Sequence, residues 1–459
     1  AALFPHTQLG LELGSILLIF TGQVWNIAFS FYSSLRSIPR ELIEASRINR
    51  FSRWQQLVQL ELPYSAIGIV WNSMMSVAGG WFFLMVCEMF TVGSQQVMLP
   101  GLGSYLQSAA SANNSSAIVW GLAAMVGVII LLDQIVWRPV IAWANKFKFE
   151  EVESASAPES MVLKLFRRSA VVEFIGQRAL VPLGERLTHM FAERPMDELP
   201  ADNLESKAGK WIGRVISVAV LAGAAYALFE GIKLLSSLQR SDLDMIGNGA
   251  IATFLRVAAS LLIGSLWTVP VGVMIGFNPK LAKIAQPIVQ IAASIPATGY
   301  YPVLLRMLLS IGIISASGNL GFAAILLMLL GTQWYILFNV IAGAMAVPTD
   351  LKEAASVFRF RSFERWRVLI LPAIFPYLIT GLVTAAGGAW NASIVAEYIT
   401  FQNKVFSTTG LGATISAASN NFPLLLGATI VMAAMVVTFN RLVWRRLYRL
   451  AETRFKLEA

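Results

Sequence analysis

The sequence predicts an all-α membrane protein that crosses the bilayer about nine times and contains two parallel repeats. Three observations support this prediction. The 459 residues are 56% hydrophobic and only 13% charged, whereas soluble domains are about 25% charged. Long stretches carry no charged side chain, and the same residues recur at a fixed offset along the chain. This composition excludes an ordinary soluble enzyme and a disordered protein.

Nine stretches are long enough to cross a bilayer, which takes ~20 mostly apolar residues. Turn residues mark the ends of these stretches. The stretches predict helices at residues 9–33, 64–90, 117–140, 211–233, 250–277, 284–309, 318–345, 373–396 and 424–447.

The basic residues define which ends of these helices face the cytoplasm. Nearly all Lys and Arg lie in alternate segments, at 36–62, 138–214, 277–283, 346–372 and 441–459. Since Lys and Arg accumulate in cytoplasmic loops, we expect residue 1 outside and the C-terminus in the cytoplasm. The net charge of +9 therefore indicates contact with membrane lipid rather than with nucleic acid.

One segment, 145–210, is predicted to lie outside the membrane. It is close to charge balance and includes a basic amphipathic piece at 161–186. This pattern is typical of a cytoplasmic linker with a helix on the membrane surface, and a partner-docking role is the alternative. The predicted domains are therefore 1–144, the linker 145–210, and 211–459.

The chain contains an internal repeat with one dominant offset. Glu353 follows Glu44 by 309 positions (353 − 44), and later matches such as Trp137 and Trp444 differ by 307 (444 − 137). Further pairs at the first offset are Trp25 and Trp334, Pro39 and Pro348, Gly79 and Gly388, Trp81 and Trp390, Glu88 and Glu397, and Gly101-Leu102-Gly103 and Gly410-Leu411-Gly412. Both copies have the same predicted sidedness, which indicates parallel repeats about an axis along the membrane normal. Since residue 1 corresponds to residue 310, we expect three more helices before residue 1 in the intact protein.

A basic cytoplasmic loop recurs in both copies and precedes a membrane helix. Pro39 and Pro348 can each start a short helix with acidic residues in its first turn. Leu-Pro then follows in both copies, at Leu62-Pro63 and Leu371-Pro372. Two matched loops on one side of the membrane predict paired docking sites for a soluble partner. A loop that only fixes topology is the simpler alternative, and it explains a matched pair less well than a single copy.

These loops resemble the EAA loop of ABC importer permeases. Glu44-Ala45 and Glu353-Ala354-Ala355 stand at the spacing from Leu-Pro that this motif has. The stretches that follow, through Glu88 and Glu397 to Gly-Leu-Gly, resemble the nitrate/sulfonate/taurine/bicarbonate branch. The resemblance implies two permease bundles of the type I ABC importer kind, fused in tandem in a bacterial inner membrane.

The resemblance also implies which residues couple the chain to its partners. Two ATP-binding cassette subunits would dock on the cytoplasmic loops. The implied coupling residues are Glu44, Ala45, Arg50, Phe51, Leu62, Pro63, Glu353, Ala354, Ala355, Arg359, Phe360, Leu371 and Pro372. The family usually has Gly where Arg50 and Arg359 stand, so the bend there must form without Gly, at a cost if φ is positive. Ser46 replaces the second Ala of the motif in the first copy, and the Phe beside each Arg is a candidate apolar anchor.

Ionisable and polar residues within the spans are candidates for the solute pathway. They are Glu88, Glu397, Arg256, Arg306, Tyr300 and Ser294, with Trp81, Trp390, Asn72 and Asn391 as weaker candidates. For the two Glu residues, hydrogen bonding within the bundle is the alternative to lining a gate. Arg256 can serve a structural role, and Arg306 can either present donors to an anion, after a helix break at Ile295-Pro296, or mark the outer membrane boundary.

The predicted function is that of a permease subunit, which moves a small anionic or zwitterionic solute by alternating access. The sequence has no G-x-x-x-x-G-K-[ST] motif, so ATP and Mg are expected on a separate ATPase and no cofactor in this chain. With two His and one Cys, no metal site is expected. The sequence leaves open whether a periplasmic binding protein delivers the solute. The alternatives are an ion-gradient carrier and a membrane scaffold that transports nothing.

Overall fold

The computed structural model describes residues 9–36, 38–92, 95–112, 114–147, 207–295, 297–312, 314, 319–401, 404–418 and 420–454. The predicted linker helix at 161–186 lies outside these residues. In the part of the chain that the structure describes, helices dominate, as the sequence predicts.

The first copy begins with a long helix and ends with two shorter ones. Its elements are α1 (Leu9–Arg36), α2 (Arg40–Ile48), α3 (Arg53–Gln56), a π-helical turn (Leu57–Glu61), α4 (Leu62–Glu88), β1 (Met89–Val92), β2 (Gln95–Met98), α5 (Leu102–Ser111), α6 (Ser115–Leu132), a second π-helical turn (Asp133–Trp137), α7 (Arg138–Ala144) and a 3₁₀ turn (Asn145–Phe147).

The second copy follows four further helices and repeats this order. The four are α8 (Lys207–Ser236), α9 (Arg240–Phe277), α10 (Pro279–Ser294) and α11 (Ala297–Ser310). The repeat comprises α12 (Ala323–Met345), α13 (Thr349–Val357), α14 (Ser362–Arg365), a π-helical turn (Trp366–Ile370), α15 (Leu371–Ala396), β3 (Tyr398–Phe401), β4 (Lys404–Ser407), α16 (Leu411–Ala417), α17 (Phe422–Phe439), a π-helical turn (Asn440–Trp444) and α18 (Arg445–Arg454).

The element boundaries confirm the internal repeat. The helices α2 and α13 begin at residues 40 and 349, and β1 and β3 begin at 89 and 398, which is the offset of 309. The helices α6 and α17 begin at 115 and 422, which is the later offset of 307. Even the π-helical turns recur at these offsets, so the repeat extends to local backbone geometry.

Seven helical stretches among the described residues are long and apolar enough to span a membrane. They are Leu9–Tyr32, Ser115–Ala144, Ser217–Ser236, Arg240–Phe277, Ala323–Met345, Ser362–Ala396 and Phe422–Ala451. Each overlaps a predicted span, although Arg240–Phe277 and Ser362–Ala396 begin ten and eleven residues before the predicted starts at 250 and 373. The predicted span 64–90 is a helix, α4, that is not among the seven, and 284–309 is two shorter helices. The multi-pass helical fold is confirmed, whereas the count of nine is not.

The predicted span 284–309 consists of two helices, and the break lies where the sequence predicts it, at Ile295. The backbone leaves the helical conformation at Ile295, where ψ is 124°, and α11 begins at Ala297. A proline at position 296 explains the break, since it disfavours helical geometry in the residue before it. The start of α10 is also fixed locally, because the Asn278 side chain accepts hydrogen bonds from the Lys280 and Leu281 N–H groups at 3.1 and 3.2 Å.

Two small β-hairpins are the main departure from the predicted all-helical fold. The strands β1 and β2 pair in antiparallel fashion, with Met89 opposite Met98, and β3 and β4 do the same, with Tyr398 opposite Ser407. Each hairpin connects the end of a long helix to a short helix, α5 or α16. The sequence feature that corresponds to each hairpin is a pair of four-residue segments with two small or polar residues between them.

Contacts within the chain divide it into two compact units. The first comprises Ala1–Cys87 and Ala123–Tyr226. In it, α1 and α4 are joined by polar contacts, because Asn72 Nδ2 donates to Ser30 Oγ at 3.0 Å and Ser76 Oγ donates to the Gln23 carbonyl at 3.2 Å. Asn72 is therefore a packing residue of this helix pair. The domain boundaries predicted at 144 and 210 stay a prediction.

The second unit comprises Glu88–Leu122 and Ala227–Ala459. Its core lies where α9, α12 and α15 pack together, around Val273, Ile336, Val340 and Ile374. Small residues allow the close approach of α9 and α12, since a Cβ added at Gly276 would lie 2.7 Å from the Ile341 carbonyl oxygen. Such contacts are typical of helix packing in membranes.

Candidate coupling loops and outer polar cluster

The loop helices α2 and α13 begin in the same way. Pro39 and Pro348 precede them with φ of −54° and −56°, and Glu41 and Asp350 lie in their first turns. Proline has the φ that helix entry requires, and a carboxylate near a helix N-terminus interacts favourably with the helix dipole. The predicted helix starts are thus confirmed in both copies.

Both loop helices end at an arginine in the left-handed conformation. Arg50 has φ 51° and Arg359 has φ 52°. The N–H groups of Phe51 and Phe360, each the residue after the arginine, donate to carbonyls five residues back, at 3.0 and 3.1 Å. This is the Schellman pattern of helix termination, where glycine is the usual residue. The bend forms without glycine and its φ is positive, so the cost that the sequence analysis attached to a positive φ applies.

A second short helix follows each bend and leads into the membrane helix. In the first copy, the Gln55 N–H donates to Ser52 Oγ at 3.2 Å and the Ser52 N–H donates to Gln55 Oε1 at 2.8 Å. In the second copy, the Arg361 N–H donates to Glu364 Oε2 at 3.0 Å. These caps fix where the helices restart. Leu62, Pro63, Leu371 and Pro372 then open α4 and α15, directly after the π-helical turns.

The helix α13 has a buried face and an exposed face. Ala355 packs against Val347, Leu369 and Ala373, with Phe360 at the edge of this cluster. Glu353 is exposed, and so are Glu44 and Ala45 in α2, whereas Ala354 is half-buried and Ser46, the counterpart of Ala355, is buried. The motif alanine position therefore holds the loop against its own membrane helix, and the motif glutamate faces outward.

The exposed aromatic residue of the second loop differs from the predicted one. Phe360 contacts its own cluster, whereas Phe358 and Phe363 are 73% and 75% exposed. Phe358 lies across Phe360 with ring centroids 6.1 Å apart. The repeat does not mark Phe358, because Asn49 stands at the matching position of the first loop, whereas Phe363 matches Trp54.

A shallow cavity of about 330 Å³ lies between α13 and the start of α15. Its lining is mostly apolar and consists of Leu351, Ala354, Ala355, Phe358, Phe360, Val368, Leu369, Pro372, Ala373 and Arg454. Nearby, burial and the charge of Arg365 lower the pKa of Lys352, whose Nζ lies 4.8 Å from the centre of the Phe277 ring. Four predicted coupling residues therefore line one concave surface.

At the opposite end of α15, Glu397 is fully buried and hydrogen-bonded. Its carboxylate accepts from Thr253 Oγ1 at 2.8 Å, Arg256 Nη1 at 2.8 Å and the Gly412 N–H at 2.9 Å. Arg256 also donates to the Thr409 carbonyl at 2.7 Å. Of the two alternatives, the geometry matches a carboxylate held within the bundle, and Arg256 is its ion-pair partner.

Glu88 occupies the matching position in the first copy. Its carboxylate accepts the Ser104 N–H at 2.9 Å, as Glu397 accepts the Ala413 N–H at 3.4 Å. The Gly-Leu-Gly motif has a steric role here, because a Cβ at Gly101 or Gly410 would collide with the carboxylate of Glu88 or Glu397. The repeated Glu and Gly therefore belong to one local arrangement.

The remaining pathway candidates do not converge on one site. Arg306 is exposed and donates to Ser115 Oγ at 2.8 Å, and Tyr300 is half-buried. Trp390 is buried beside Phe254, with ring centroids 6.5 Å apart. Asn391 is exposed, Trp81 is half-buried, and the side chain of Ser294 lies outside the described part of the chain.

A family described as the binding-protein-dependent transport system inner membrane component matches residues 6–136 and 268–456. The chain belongs to this family. Two separate matches in one chain confirm the predicted tandem pair of type I importer permease domains.

Relatives of this permease chain include three curated transport proteins. The nitrate import permease protein of Leptolyngbya laminosa is 28% identical over 149 residues, which cover 32% of this chain and 50% of the relative. The bicarbonate transport system permease protein of Synechococcus elongatus is 30% identical over the same shares. The taurine transport system permease protein of Escherichia coli is 28% identical over 187 residues, 40% of this chain and 61% of the relative. The chain spans about half the length of the curated relatives that it matches first.

Proposed function

We propose that this chain is the transmembrane permease of an ATP-driven importer, with the loops around α2 and α13 as docking sites for two separate ATPase subunits. The observation that carries the proposal is the matched pair of loops. Each has an exposed glutamate, Glu44 or Glu353, on a short helix that ends in a Schellman turn. An exposed carboxylate on a helix of fixed orientation is a suitable contact for donors on a soluble partner.

The packing of α13 supports a mechanical role for this loop. Ala355 contacts Leu369 and Ala373, at the cytoplasmic start of the membrane helix α15. A displacement of α13 would therefore move the end of α15, since packed cores do not deform continuously. ATP-driven closure of the partner subunits would in this way alternate the access of the pathway between the two sides of the membrane.

The solute we propose is a small anion or zwitterion of the nitrate, bicarbonate, sulfonate or taurine kind. The relatives are a nitrate, a bicarbonate and a taurine permease by their names, and all three of these solutes are small and carry an oxyanion group. Arg306, with exposed guanidinium donors near Ser115, is the pathway residue best suited to an anion. Delivery by a periplasmic binding protein belongs to the same proposal.

Charge reversal of the loop glutamates tests the docking sites. The variants are Glu44→Arg, Glu353→Arg and the double variant, and Asp244→Arg, an exposed residue of α9 on the predicted outer side, is the control. We expect the loop variants to elute as the wild type does in detergent, because the changed side chains are exposed. They should retain less of the ATPase that co-purifies with the tagged wild-type chain, and they should lose uptake of nitrate, bicarbonate or taurine.

The same experiment separates this proposal from its alternatives. If both reversals, alone and together, left ATPase retention and uptake unchanged, the docking sites would be wrong. Uptake driven by an ion gradient without ATPase would then favour a secondary carrier, and a wild-type chain without uptake of any tested solute would favour a scaffold.

A further inference from the structure

Glu397 is at the junction of three elements that are distant in sequence. It follows the last residue of α15, it accepts backbone N–H groups at the start of α16, and it contacts two side chains of α9. Its side chain is completely excluded from solvent. Burial of a carboxylate costs free energy unless hydrogen-bond donors surround it. The donors around Glu397 therefore show which elements this residue connects.

One set of contacts is local and occurs in both copies. The N–H groups of Gly412 and Ala413 donate to Glu397 Oε2, and the N–H of Thr408 donates to the Glu397 carbonyl at 3.1 Å. In the first copy, the Ser104 N–H donates to Glu88 Oε2 and the Leu99 N–H donates to the Glu88 carbonyl at 2.9 Å. These contacts join the end of α15, the hairpin β3–β4 and the start of α16 into one body, which we call the outer module (residues 396–417).

The second set of contacts connects the outer module to α9. Thr253 Oγ1 donates to Glu397 and accepts the Leu411 N–H at 2.8 Å. Arg256 donates to Glu397, to Thr408 Oγ1 at 2.9 Å and to the Thr409 carbonyl. Two adjacent turns of α9 thus contact Glu397, the residues Thr408 and Thr409 between β4 and α16, and the start of α16, and each of these contacts is polar.

The helix α15 connects this cluster to the proposed coupling loop. It runs without interruption from Leu371, beside the loop, to Ala396, beside Glu397. At 1.5 Å per residue, a helix of this length spans roughly the thickness of the apolar membrane core. Movement at the loop would therefore reach the outer module directly.

We propose that Glu397 is a positioning residue that clamps α9 to the outer module, so that both move as one body when the coupling loop moves. Its part in transport rests on the proposed function above, whereas the clamp itself does not. The carboxylate holds the cluster and does not contact the solute, because its oxygen atoms are already occupied by donors from Thr253, Arg256, Gly412 and Ala413.

Two variants with one matched control test the clamp. Glu397→Gln keeps the size of the side chain but places an amide donor among donors. Thr253→Val keeps the shape but removes the hydroxyl that bridges Glu397 and the Leu411 N–H, whereas Thr253→Ser retains that hydroxyl. Spin labels on cysteines at Asp244 of α9 and Lys404 of β4, both exposed, report the distance between α9 and the outer module after Cys87→Ala removes the native thiol.

We expect a single narrow distance in the wild type and in Thr253→Ser, and a broad distribution in Glu397→Gln and Thr253→Val. In the intact transporter, uptake should fall about tenfold or more in the last two variants. Glu397→Gln removes one charge of a buried ion pair, and Thr253→Val leaves the buried carboxylate and the Leu411 N–H without the hydroxyl that joins them. The ATPase should remain bound and should hydrolyse ATP at a rate close to that of the wild type. Thr253→Ser should retain uptake. If any change at this position simply unfolded the chain, this control variant would lose uptake as well.

A narrow distance in both Glu397→Gln and Thr253→Val would overturn the clamp, whatever the uptake. Wild-type uptake in both variants, with the ATPase coupled, would also overturn it. The distance measurement needs neither solute nor ATPase. A broad distribution in the two variants therefore supports the clamp even where the wild type shows no ATP-driven uptake, and in that case only the proposed function fails.

Discussion

Arg50 and Arg359 occupy a backbone conformation that side chains rarely adopt. Both have φ near 50°, where the Cβ of an L-residue approaches the following carbonyl at a cost of about 1–2 kcal/mol. The Schellman hydrogen bonds, which the N–H of each arginine and the N–H of the phenylalanine after it donate, hold this conformation in both copies. The bend is therefore maintained by the surrounding loop rather than by the intrinsic preference of the residue.

Substitution of Arg359 should separate backbone strain from side-chain contacts. Arg359→Gly should leave the thermal stability of the purified chain unchanged or raise it, since glycine adopts positive φ freely. Arg359→Val should lower the free energy of unfolding by about 1 kcal/mol or more, because a β-branched residue is most strained at a positive φ. Thermal unfolding in one detergent measures both variants. A valine variant as stable as the glycine variant would contradict the left-handed bend.

The sequence marks Glu88, Glu397 and Arg256 as polar residues of the spans, but it does not pair them. Glu397 and Arg256 are 141 positions apart, and nothing in the local sequence indicates that their helices meet. The repeat did place Glu88 and Glu397 at matching positions, and it did the same for the two Gly-Leu-Gly motifs. The sequence could not show the tertiary contact between Glu397 and Arg256, and this contact decides whether Glu397 lines a gate or acts as a clamp.

At the scale of elements, the two loops have the same backbone and different surfaces. Phe358 is largely exposed where the first loop has Asn49. Buried aromatic residues contribute strongly to protein interfaces, and an exposed one is a candidate anchor. The two proposed docking sites therefore differ in apolar character, although both present a glutamate.

Phe358→Asn should weaken ATPase retention at the second loop. We expect a loss of about tenfold in affinity, as is common when an aromatic anchor is removed, with no change in elution of the permease itself. Asn49→Ala at the matching position of the first loop is the control and should have little effect. Equal effects of the two variants would show that Phe358 is not an anchor.

The packing of α9 on α12 offers a matched test of helix approach. A Cβ at Gly276 would lie 2.7 Å from the Ile341 carbonyl oxygen, whereas nothing lies within 4 Å of a Cβ at Gly247 of the same helix. Gly276→Ala should lower the unfolding temperature, since overpacking costs about 1–3 kcal/mol. Gly247→Ala should leave it unchanged or raise it, because alanine favours helix. The reverse order would contradict this packing.

The helices were more predictable from the sequence than their interruptions. Apolar stretches predicted the membrane helices because length and hydrophobicity determine them locally. The hairpins β1–β2 and β3–β4 were missed, since four-residue strands give little periodicity. The break at Ile295 was noted beside Arg306 but not used to divide the span 284–309. The solvent exposure of individual side chains was not predicted either. The charge pattern assigns Ser104 to an outer segment, but its side chain is buried beside Glu88.

At the scale of the whole molecule, the charge pattern predicts which side of the membrane each segment faces. With Cys87, which is buried, replaced by alanine, single cysteines at Ala112 and Lys404 should react with an impermeant maleimide added outside. A cysteine at Ser362 should react only after the membrane is permeabilised. All three positions are exposed in the structure. Labelling of Ser362 but not of the other two in intact cells would reverse the topology.

The π-helical turns bear on the history of the gene. Each such turn accommodates one residue more than an α-helical turn of the same rise. The turns at Leu57–Glu61 and Trp366–Ile370 are 309 positions apart, and those at Asp133–Trp137 and Asn440–Trp444 are 307 apart. The recurrence of both turns in both halves indicates that each turn was already present in the single ancestral half. The turns therefore predate the duplication, and the two-residue difference in offset between them arose after it.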